Sequence, residues 1–476
     1  MTTRSLAPAA AMLWLLCGPP AHAAPGRGPE GIWLGALDLG AVKLRLALHV
    51  DRKPDGSLHA TLDSLDQGAT GLPVDRITIT GSVVRFEAAK LRATFEGKLD
   101  GDTLSGTFTQ GQPLPLALSR VDKIEAPRRP QTPHRPFPYR EEEVAISVAA
   151  APRDPKRAGE TIMLGGTLSL PAGAGPFPAV VFITGSGAQD RDETILDHKS
   201  FLVISDALVR RGIATLRLDD RGVGASGGAD DRLTTLDFVE DVRREFAWLA
   251  ARPEIDKRAL GLIGHSEGGL ISAIVASEDD RARFIVMLAG PGMTGERISY
   301  AQQALLARAA GVSEAQIHQD HVATERLYQR LRIARTDAEV DVAITAFVEA
   351  DPQHRQERES ARKQLRLPWV RTFLALDPVP YLEKVRVPVL AMSGERDIQV
   401  SKENLTLIER ALSRGKNRDA TIKLVPGINH MFQRCVTGLP GEYGTIEETF
   451  APEALQLVTD WITARAAGLR KEPGAR

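Results

Sequence analysis

The chain has 476 residues, of which 43% are hydrophobic and 25% charged, values typical of a folded globular protein whose length usually means more than one domain. Its 60 basic and 61 acidic residues leave a formal net charge of -1 at pH 7. This balance excludes a global electrostatic attraction to nucleic acid or to an anionic membrane. It favours a small substrate that is uncharged or recognised locally.

The N-terminus has the pattern of a secretory signal peptide. Arg4 supplies a positive charge, residues 6–16 form an apolar stretch, and residues 21–23 read small-x-small, as a cleavage site does. The apolar stretch is shorter than the roughly 20 residues that a transmembrane helix needs. We therefore predict that residues 1–23 are removed and that the mature protein is exported, to the periplasm or beyond, without stable membrane insertion.

The cysteines carry no predicted chemistry. Cys17 lies in the predicted signal peptide, and Leu16 before it is not the small residue that a lipid-anchored protein would have there. Cys435 is then the sole cysteine of the mature chain, which excludes an internal disulfide and a cysteine-based zinc site.

Residues 24–125 are predicted to form an antiparallel β-sandwich or small barrel. Apolar residues alternate along 44–50, and the same period of two recurs from Ile77 to Ile79. Turn signals separate these stretches at 55–56, 96–97 and 100–101. This region contains no nucleophile beside a base, and a cell-envelope ligand remains open as its partner.

Residues 126–139 are predicted to be a proline-rich linker. Five prolines make this stretch unsuitable for a helix or a central strand. Three arginines are mixed with them, and we interpret the segment as a solvated spacer rather than a binding patch.

From residue 140 to the end the pattern changes to short apolar runs that alternate with helical periodicity. This pattern is typical of a mostly parallel sheet covered by helices on both faces. The predicted strands are 144–148, 162–170, 179–183, 213–218, 260–263, 284–289, 389–392 and 421–425. Residues 233–251 predict one of the helices between them.

A nucleophile is predicted at Ser266, in Gly264-His265-Ser266-Glu267-Gly268. The motif follows a buried apolar run and precedes a helix-forming stretch, which is the strand, sharp turn and helix that G-x-S-x-G requires. The glycines are needed because a Cβ at either position would strike the neighbouring strand or helix.

A serine nucleophile needs a histidine base and an acid that orients it. His430 is the predicted base, because it follows the last predicted strand in a loop that can reach the sheet edge. Asp397 is the predicted acid, because it follows the strand before that one and gives the chain order Ser, Asp, His. Glu395 and Asp377 are the weaker alternatives.

Three other histidines downstream of the motif lie in a polar, helix-forming stretch and are predicted to be solvated or structural. They are His318, His321 and His354.

An oxyanion hole needs two preorganised N–H donors. We predict the backbone N–H of Glu267, directly after the nucleophile, and the backbone N–H of Ser186, in the glycine-rich turn after the strand 179–183. A second glycine-rich loop, 219–226, lacks the lysine of a phosphate-binding loop. Asp220 and Arg221 in it are predicted to brace the loops beside the site.

With these motifs the chain resembles the α/β-hydrolase superfamily, in particular exported bacterial esterases related to its serine-aminopeptidase-like and dienelactone-hydrolase-like branches. The resemblance covers about residues 140–470 and is carried by the Ser266 motif, by the loops 185–192 and 220–226, by Asp397 and by Asn429-His430. Many relatives have a histidine before the oxyanion glycine, where this chain has Thr184. The β-domain is loosely similar to one fused to such esterases.

The stretch of about 294–380 is rich in helix formers and looks like a helical cap inserted before the strand that precedes Asp397. Such caps shape substrate pockets and exclude water. Trp369, Phe373 and Tyr381 are candidates for pocket walls, although packing within the cap is the more ordinary role for each.

The sequence thus predicts an α/β-hydrolase fold with a helical cap and a separate N-terminal β-domain, acting as a serine esterase on a small-molecule ester. It implies no cofactor and no metal. A peptidase on the same fold is the first alternative, because an acidic side chain such as Glu267 would hold a substrate amino group. A noncatalytic envelope-binding protein is the second.

Overall fold

The computed structural model describes residues 28–38, 43–125, 128–151, 155–351 and 355–471. The predicted signal peptide lies outside the described residues, as does His354. The chain divides into two compact units. Of the described residues, the first unit contains those up to Ala36, Leu46–Asp63 and Gly71–Ile124. The second contains the described residues within Leu37–Arg45, Ser64–Thr70 and those from Glu125 onward.

In the N-terminal region, nine strands of the described chain form one antiparallel sheet in the order β4-β3-β2-β1-β9-β8-β7-β6-β5. The strands are β1 Gly31–Asp38, β2 Lys43–Arg52, β3 Leu58–Ser64, β4 Ala69–Val74, β5 Arg76–Thr80, β6 Val83–Ala88, β7 Ala93–Asp100, β8 Thr103–Gln110 and β9 Gln112–Val121. Alternate side chains fill the inner face, among them Trp33, Phe86 and Phe95. This confirms the predicted N-terminal antiparallel β-fold.

The C-terminal region contains a second sheet of eight described strands in the order β10-β11-β15-β12-β16-β17-β18-β19. Its strands, with the small hairpin β13 and β14, are β10 Arg140–Ala149, β11 Thr161–Leu170, β12 Phe177–Ile183, β13 Thr194–Ile195, β14 His198–Lys199, β15 Ala214–Leu218, β16 Ile255–His265, β17 Phe284–Leu288, β18 Val389–Gly394 and β19 Ala420–Val425. β10 and β11 run antiparallel to their neighbours, and from β15 to β19 all pairs are parallel.

Helices follow most of these strands. They are α1 Ser200–Val209, α2 Thr235–Ala251, α3 Glu267–Glu278, α4 Gly295–Ala309, α5 Glu314–Ile333, α6 Asp337–Glu349, α7 Arg355–Ser360, α8 Arg362–Leu365, α9 Pro368–Ala375, α10 Val379–Leu382, α11 Glu403–Arg414, α12 Pro440–Tyr443 and α13 Pro452–Lys471. Short 3-10 turns lie at Leu65–Gln67, Ala89–Leu91 and Pro155–Arg157. No helix within the described ranges is long and apolar enough to cross a bilayer.

Both faces of the second sheet are covered, as the near-continuous apolar runs predict. One buried cluster joins the sheet to α2, α3 and α11 through residues such as Phe246 and Ile408. The other joins the opposite face to α1 and α13 through residues such as Phe201 and Val458. The predicted α/β-hydrolase fold is confirmed in this region.

The parallel strands bring the predicted site residues to one edge. β12, β16, β18 and β19 all end there, because the carboxyl ends of parallel strands share an edge of the sheet and ligands bind beyond it. The loops that follow these strands carry Ser186, Ser266, Asp397 and His430 respectively.

Helices α4 to α9 occupy the predicted cap region between β17 and β18. They have a small apolar core of their own, which includes Leu331, Ile344 and Leu374. The capping box at Thr336 and Glu339, in which each side chain bonds the other's backbone N–H, explains where α6 begins.

The predicted linker is not wholly a solvated spacer. Arg129 donates to the backbone carbonyls of Leu196, Gly444 and Ile446, at 2.8, 3.0 and 3.0 Å. Guanidinium groups suit this role because they present five donors in a fixed plane. Charge alone predicts a solvated arginine, and only the tertiary structure supplies three carbonyls that converge on it.

Candidate active site

Ser266 lies at the sharp turn between β16 and α3. Its backbone φ is +51°, in the left-handed region that residues other than glycine seldom adopt. The turn is fixed because the N–H of Ser266 donates to the carbonyl of Leu288 at 2.8 Å. A Cβ placed on Gly264 or Gly268 would lie 2.0 or 2.2 Å from a backbone oxygen, so both flanking glycines are required. Strain of this kind collects at functional sites.

Asp397 and His430 are hydrogen-bonded to each other. Nδ1 of His430 lies 2.8 Å from Oδ2 of Asp397, and both residues are about 5% exposed or less. The other carboxylate oxygen of Asp397 accepts the N–H groups of Gln399 and Val400, at 2.9 and 2.8 Å. These donors hold the carboxylate in place, so that Nε2 of the imidazole is the nitrogen left for a substrate or nucleophile.

The two alternative acids take no part in this pair. Glu395 is exposed and accepts the N–H of Gly427 at 3.1 Å. Asp377 is exposed and accepts the N–H of Val379 at 3.0 Å. Among the described residues, His430 therefore bonds Asp397 and neither of these two carboxylates.

The predicted oxyanion donors flank the nucleophile. Glu267 begins α3, and the first N–H groups of a helix have no partner within the helix. In the loop after β12, the N–H of Gly185 is already bonded to Oε1 of Glu193 at 2.9 Å, which leaves the N–H of Ser186 as the next donor along the loop. An added Cβ on Gly185 would lie 3.4 Å from the Cβ of Ser266, so the loop packs directly against the nucleophile.

The cleft beyond this edge is lined by both Ser266 and His430, together with Gly185 and Ser186. Apolar and aromatic walls come from Ile195, Leu196, Met431 and Tyr443. These residues belong to the loops after β12 and β19 rather than to the predicted cap.

The three aromatic residues proposed for the pocket walls are in other places. Trp369 stacks on Phe373, with ring centroids 5.0 Å apart, and its indole N–H donates to Oε1 of Glu267 at 2.8 Å. Tyr381 packs on the core cluster of the sheet. None of the three is among the residues that line the cleft with Ser266.

The side chain of Glu267 is enclosed. It is 3% exposed, and its Oε1 accepts the hydroxyl of Thr235 at 2.5 Å as well as the indole of Trp369. Burial raises the pKa of Glu267 above its ordinary value, despite these two donors. Glu267 therefore does not provide a free carboxylate that could bind a substrate amino group in the cleft.

Asp220 braces the oxyanion loop, as predicted, whereas the same prediction for Arg221 is wrong. Asp220 accepts the hydroxyl of Thr184 at 2.7 Å and the N–H of Gln189 at 2.9 Å. Thr184, at the position where relatives have a histidine, is thus tied to this carboxylate. Arg221 points away from the cleft and forms a two-pronged bond with Asp241, at 2.5 and 2.6 Å.

A second cavity, which we call the acidic chamber, lies behind the oxyanion loop. It has a volume of about 50 Å³ and is lined by Thr184, Gly185 and the carboxylates of Asp220, Glu245 and Glu267, among others. Burial raises the pKa of Asp220 to about 7. Burial, with the nearby charges of Asp241 and Asp220, raises the pKa of Glu245 well above its ordinary value.

Sequence reasoning missed two residues beside the nucleophile. His265 is 5% exposed and Glu193 is 1% exposed, and Nδ1 of the histidine lies 2.9 Å from Oε1 of the glutamate. Nε2 of His265 lies 3.1 Å from the backbone carbonyl of His430. The sequence signal that could have found this pair is His265, a polar residue at an otherwise apolar strand end. A buried charged group needs a partner that bonds it.

His318 and His321 are not among the residues that line the cleft with Ser266. His318 and His321 lie on α5 and line a separate cavity within the cap, where His321 packs edge-on against Tyr300. In the β-domain, His49 lies 2.8 Å from Asp63, and His59 is exposed on β3.

Comparison with known proteins agrees with the fold. A family model described as serine aminopeptidase, S33, matches residues 198–434, a span that holds Ser266, Asp397 and His430. Over this span, just under half of its length, the chain is similar to that family. Esterase EstD of Thermotoga maritima is 25% identical over 268 residues, which are 56% of this chain and 58% of that protein, less than two thirds of its length.

Two solved structures have a low similarity to this chain. An esterase of Pyrococcus furiosus, Pf2001, is 14% identical with a TM-score of 0.41, covering 73% of this chain and 98% of that one. Est1E of Butyrivibrio proteoclasticus is 15% identical with a TM-score of 0.39, covering 69% of this chain and 99% of that one.

Proposed function

We propose that the protein is a serine hydrolase that cleaves carboxylic esters through an acyl-enzyme. Ser266 attacks the ester carbonyl while His430 takes its proton, and Asp397 holds the imidazole and stabilises its charge. The N–H groups of Ser186 and Glu267 stabilise the oxyanion. His430 returns the proton to the leaving alcohol, and it then activates the water that hydrolyses the acyl-enzyme.

One observation carries this proposal. Ser266 occupies a strained turn at the carboxyl edge of the sheet, and the hydrogen-bonded pair of His430 and Asp397 opens into the same cleft. A serine elbow beside a buried imidazole–carboxylate pair is the arrangement that nucleophilic catalysis requires.

The walls of the cleft support an uncharged substrate. Ile195, Leu196 and Met431 offer apolar contact in the cleft, and Tyr443 adds an aromatic wall. We propose that they receive the apolar part of a small-molecule ester, since binding sites are mostly apolar with few placed polar groups.

A peptidase is the second candidate, and the description of the matching family favours it. The buried state of Glu267 opposes the route by which we expected this chain to bind an amino terminus. We therefore place ester hydrolysis first and use an aminoacyl anilide as the discriminating substrate.

We also propose that the protein is exported after removal of residues 1–23 and that the β-domain engages a cell-envelope ligand. Mass determination of the mature N-terminus tests the first proposal. Co-sedimentation of the full mature chain with isolated cell-wall material tests the second.

Turnover of p-nitrophenyl esters of graded chain length tests the catalytic proposal. We expect ester hydrolysis, and we expect Ser266→Ala to lower kcat by about 10⁴-fold or more because the nucleophile is lost. Ser272→Ala is the matched control, since this buried hydroxyl lies on the following helix and bonds only the carbonyl of Gly269 at 2.7 Å.

Other outcomes decide between the alternatives. Anilide turnover without ester turnover would establish the peptidase. If neither substrate is turned over and a fluorophosphonate does not label Ser266, the result would favour the noncatalytic binding protein.

A further inference from the structure

We propose that Glu193 and His265 act together as a positioning pair that holds the oxyanion loop in register with the loop of the catalytic histidine. The inference rests on the proposed function. It assigns a role to two residues that contact the loops carrying the catalytic groups rather than the substrate.

Glu193 joins the pair to the oxyanion loop. Its Oε1 accepts the N–H of Gly185 and lies 2.9 Å from Nδ1 of His265, so one oxygen serves two elements that are distant in sequence. The residue has a φ of +49°, which is unusual for glutamate. The surrounding fold stabilises this left-handed conformation, in which the buried carboxylate of Glu193 bonds the oxyanion loop.

His265 joins the pair to the other loop. It precedes Ser266 in the chain, and its ring lies 4.7 Å from the ring of His430, measured between centroids. A carbonyl oxygen can only accept, so Nε2 of His265 must carry the hydrogen that it donates to the carbonyl of His430. The backbone of His430 is thereby fixed from β16, while its side chain is fixed by Asp397.

The hydrogen-bonding partners require one hydrogen between Oε1 of Glu193 and Nδ1 of His265. With Nε2 protonated, the 2.9 Å contact at Nδ1 is made either by an imidazolium and a carboxylate or by a neutral imidazole and a carboxylic acid. Burial lowers the pKa of His265, but the charge and hydrogen bond of Glu193, with the bond to the His430 carbonyl, outweigh it and raise the pKa. The ion-pair form is therefore the one that we adopt.

The consequence is geometric. Ser186, one of the two donors predicted for the oxyanion, and His430, the base that serves Ser266, lie on different loops, after β12 and after β19. Glu193 and His265 are the bonded path from Gly185 to His430, and this path runs beside the nucleophile. A misplacement of about 1 Å between such groups costs about 10²-fold in rate.

Steady-state kinetics with Glu193→Gln and His265→Leu test the proposal on the full mature protein. We expect each variant to lose about 10- to 10²-fold in kcat with KM changed by less than about threefold, because positioning acts on the transition state. The double variant should lose no more than the worse single variant, since residues that act as a unit are not additive.

Rescue separates positioning from simple stability. His265→Gln keeps an amide donor for the carbonyl of His430, so we expect it to recover part of the kcat that His265→Leu loses. Thr215→Val is the matched control for stability, because it removes a fully buried hydrogen bond, 2.6 Å between Ser205 and Thr215, away from the site. All variants are assayed at the same interval below their own melting temperatures.

The results have clear alternatives. Equal kcat for Glu193→Gln and wild type, or losses that simply follow melting temperature as in Thr215→Val, would overturn the pair's role. Fluorophosphonate labelling of wild-type Ser266 separates this failure from failure of the proposed function. If Ser266 is labelled but Glu193→Gln is labelled at the wild-type rate, only the further inference is wrong.

Discussion

Behind Ser266 the hydrolase domain buries carboxylates on two sides. The two groups of carboxylates differ in their hydrogen-bonding partners. On one side Asp397 bonds His430, and Glu193 bonds His265. On the other, the acidic chamber gathers Asp220, Glu245 and Glu267, and the described chain places no bonded cation on any of these three.

The difference shows what burial does to a carboxyl group. Opposite charges stabilise one another when buried, and the carboxylate of Glu193 helps to raise the pKa of His265 above its ordinary value although burial alone would lower it. Without a cation the carboxyl group retains its proton to higher pH, and burial raises the pKa of Glu245 and Glu267. The carboxylates of the paired side thus bond histidines, whereas in the acidic chamber burial favours the protonated form of Glu245 and Glu267.

The largest expected effect comes from breaking the paired side at Asp397. We expect Asp397→Asn to lower kcat for a p-nitrophenyl ester by about 10⁴-fold, because an amide favours the wrong tautomer of His430 and cannot stabilise its charged form. Glu395→Gln is the matched control, as it neutralises an exposed carboxylate two residues away. A loss below about tenfold would remove Asp397 from the mechanism.

The second prediction concerns the acidic chamber and is measured as stability. A carboxyl group whose pKa is raised by folding binds its proton more tightly in the folded state, so stability falls as pH rises from the ordinary pKa through the raised one. For Asp220 this window runs from the ordinary carboxyl pKa of 3.8 to the raised pKa of about 7. For Glu245 it begins at 4.5 and extends well above.

Glu245→Gln should remove its share of this pH dependence. We expect the variant to be more stable than wild type at pH 8 by about 1–3 kcal/mol and nearly equal near pH 4, as measured by urea denaturation. Glu240→Gln on the same helix is the control, since Glu240 is partly exposed and paired with Arg243. A variant less stable than wild type at pH 8 would show that the charge of Glu245 has a cation we have not identified.

The smallest expected effect sharpens the same comparison at Glu267. Trp369→Phe keeps the aromatic stack on Phe373 but removes the indole N–H, one of the two donors to Glu267. We expect a loss of about 1 kcal/mol in the free energy of unfolding, the usual net value of one hydrogen bond. Trp248→Phe serves as the control, because Trp248 packs on the core cluster of the sheet. Equal losses of unfolding free energy in the two variants would show that the indole hydrogen bond to Glu267 does not contribute to stability.

Much of the fold was predictable because its signals are local. Period-two alternation indicated the strands of the β-domain, and short apolar runs indicated the strands of the second sheet, within a few residues of their observed ends. The elbow was predictable for the same reason, since Gly264 and Gly268 are required by backbone atoms a few residues away or on the adjacent strand.

Contacts between distant residues were not predictable in this way. Glu193 and His265 are 72 positions apart, and Arg129 bonds carbonyls up to 317 positions away. No periodicity or spacing connects such residues. The proposal that Glu267 faces the substrate failed similarly, because Trp369, which encloses its carboxylate, is 102 positions further along the chain.

The amino-acid sequence by itself determined the order of strands and helices, the serine turn and the succession of Ser266, Asp397 and His430, because these depend on local sterics and on polarity along the chain. The tertiary structure alone decided which buried carboxylate bonds a histidine and for which burial raises the pKa. The physical reason is that burial and partner together set the free energy of a charge, and both are supplied by residues far away in the sequence.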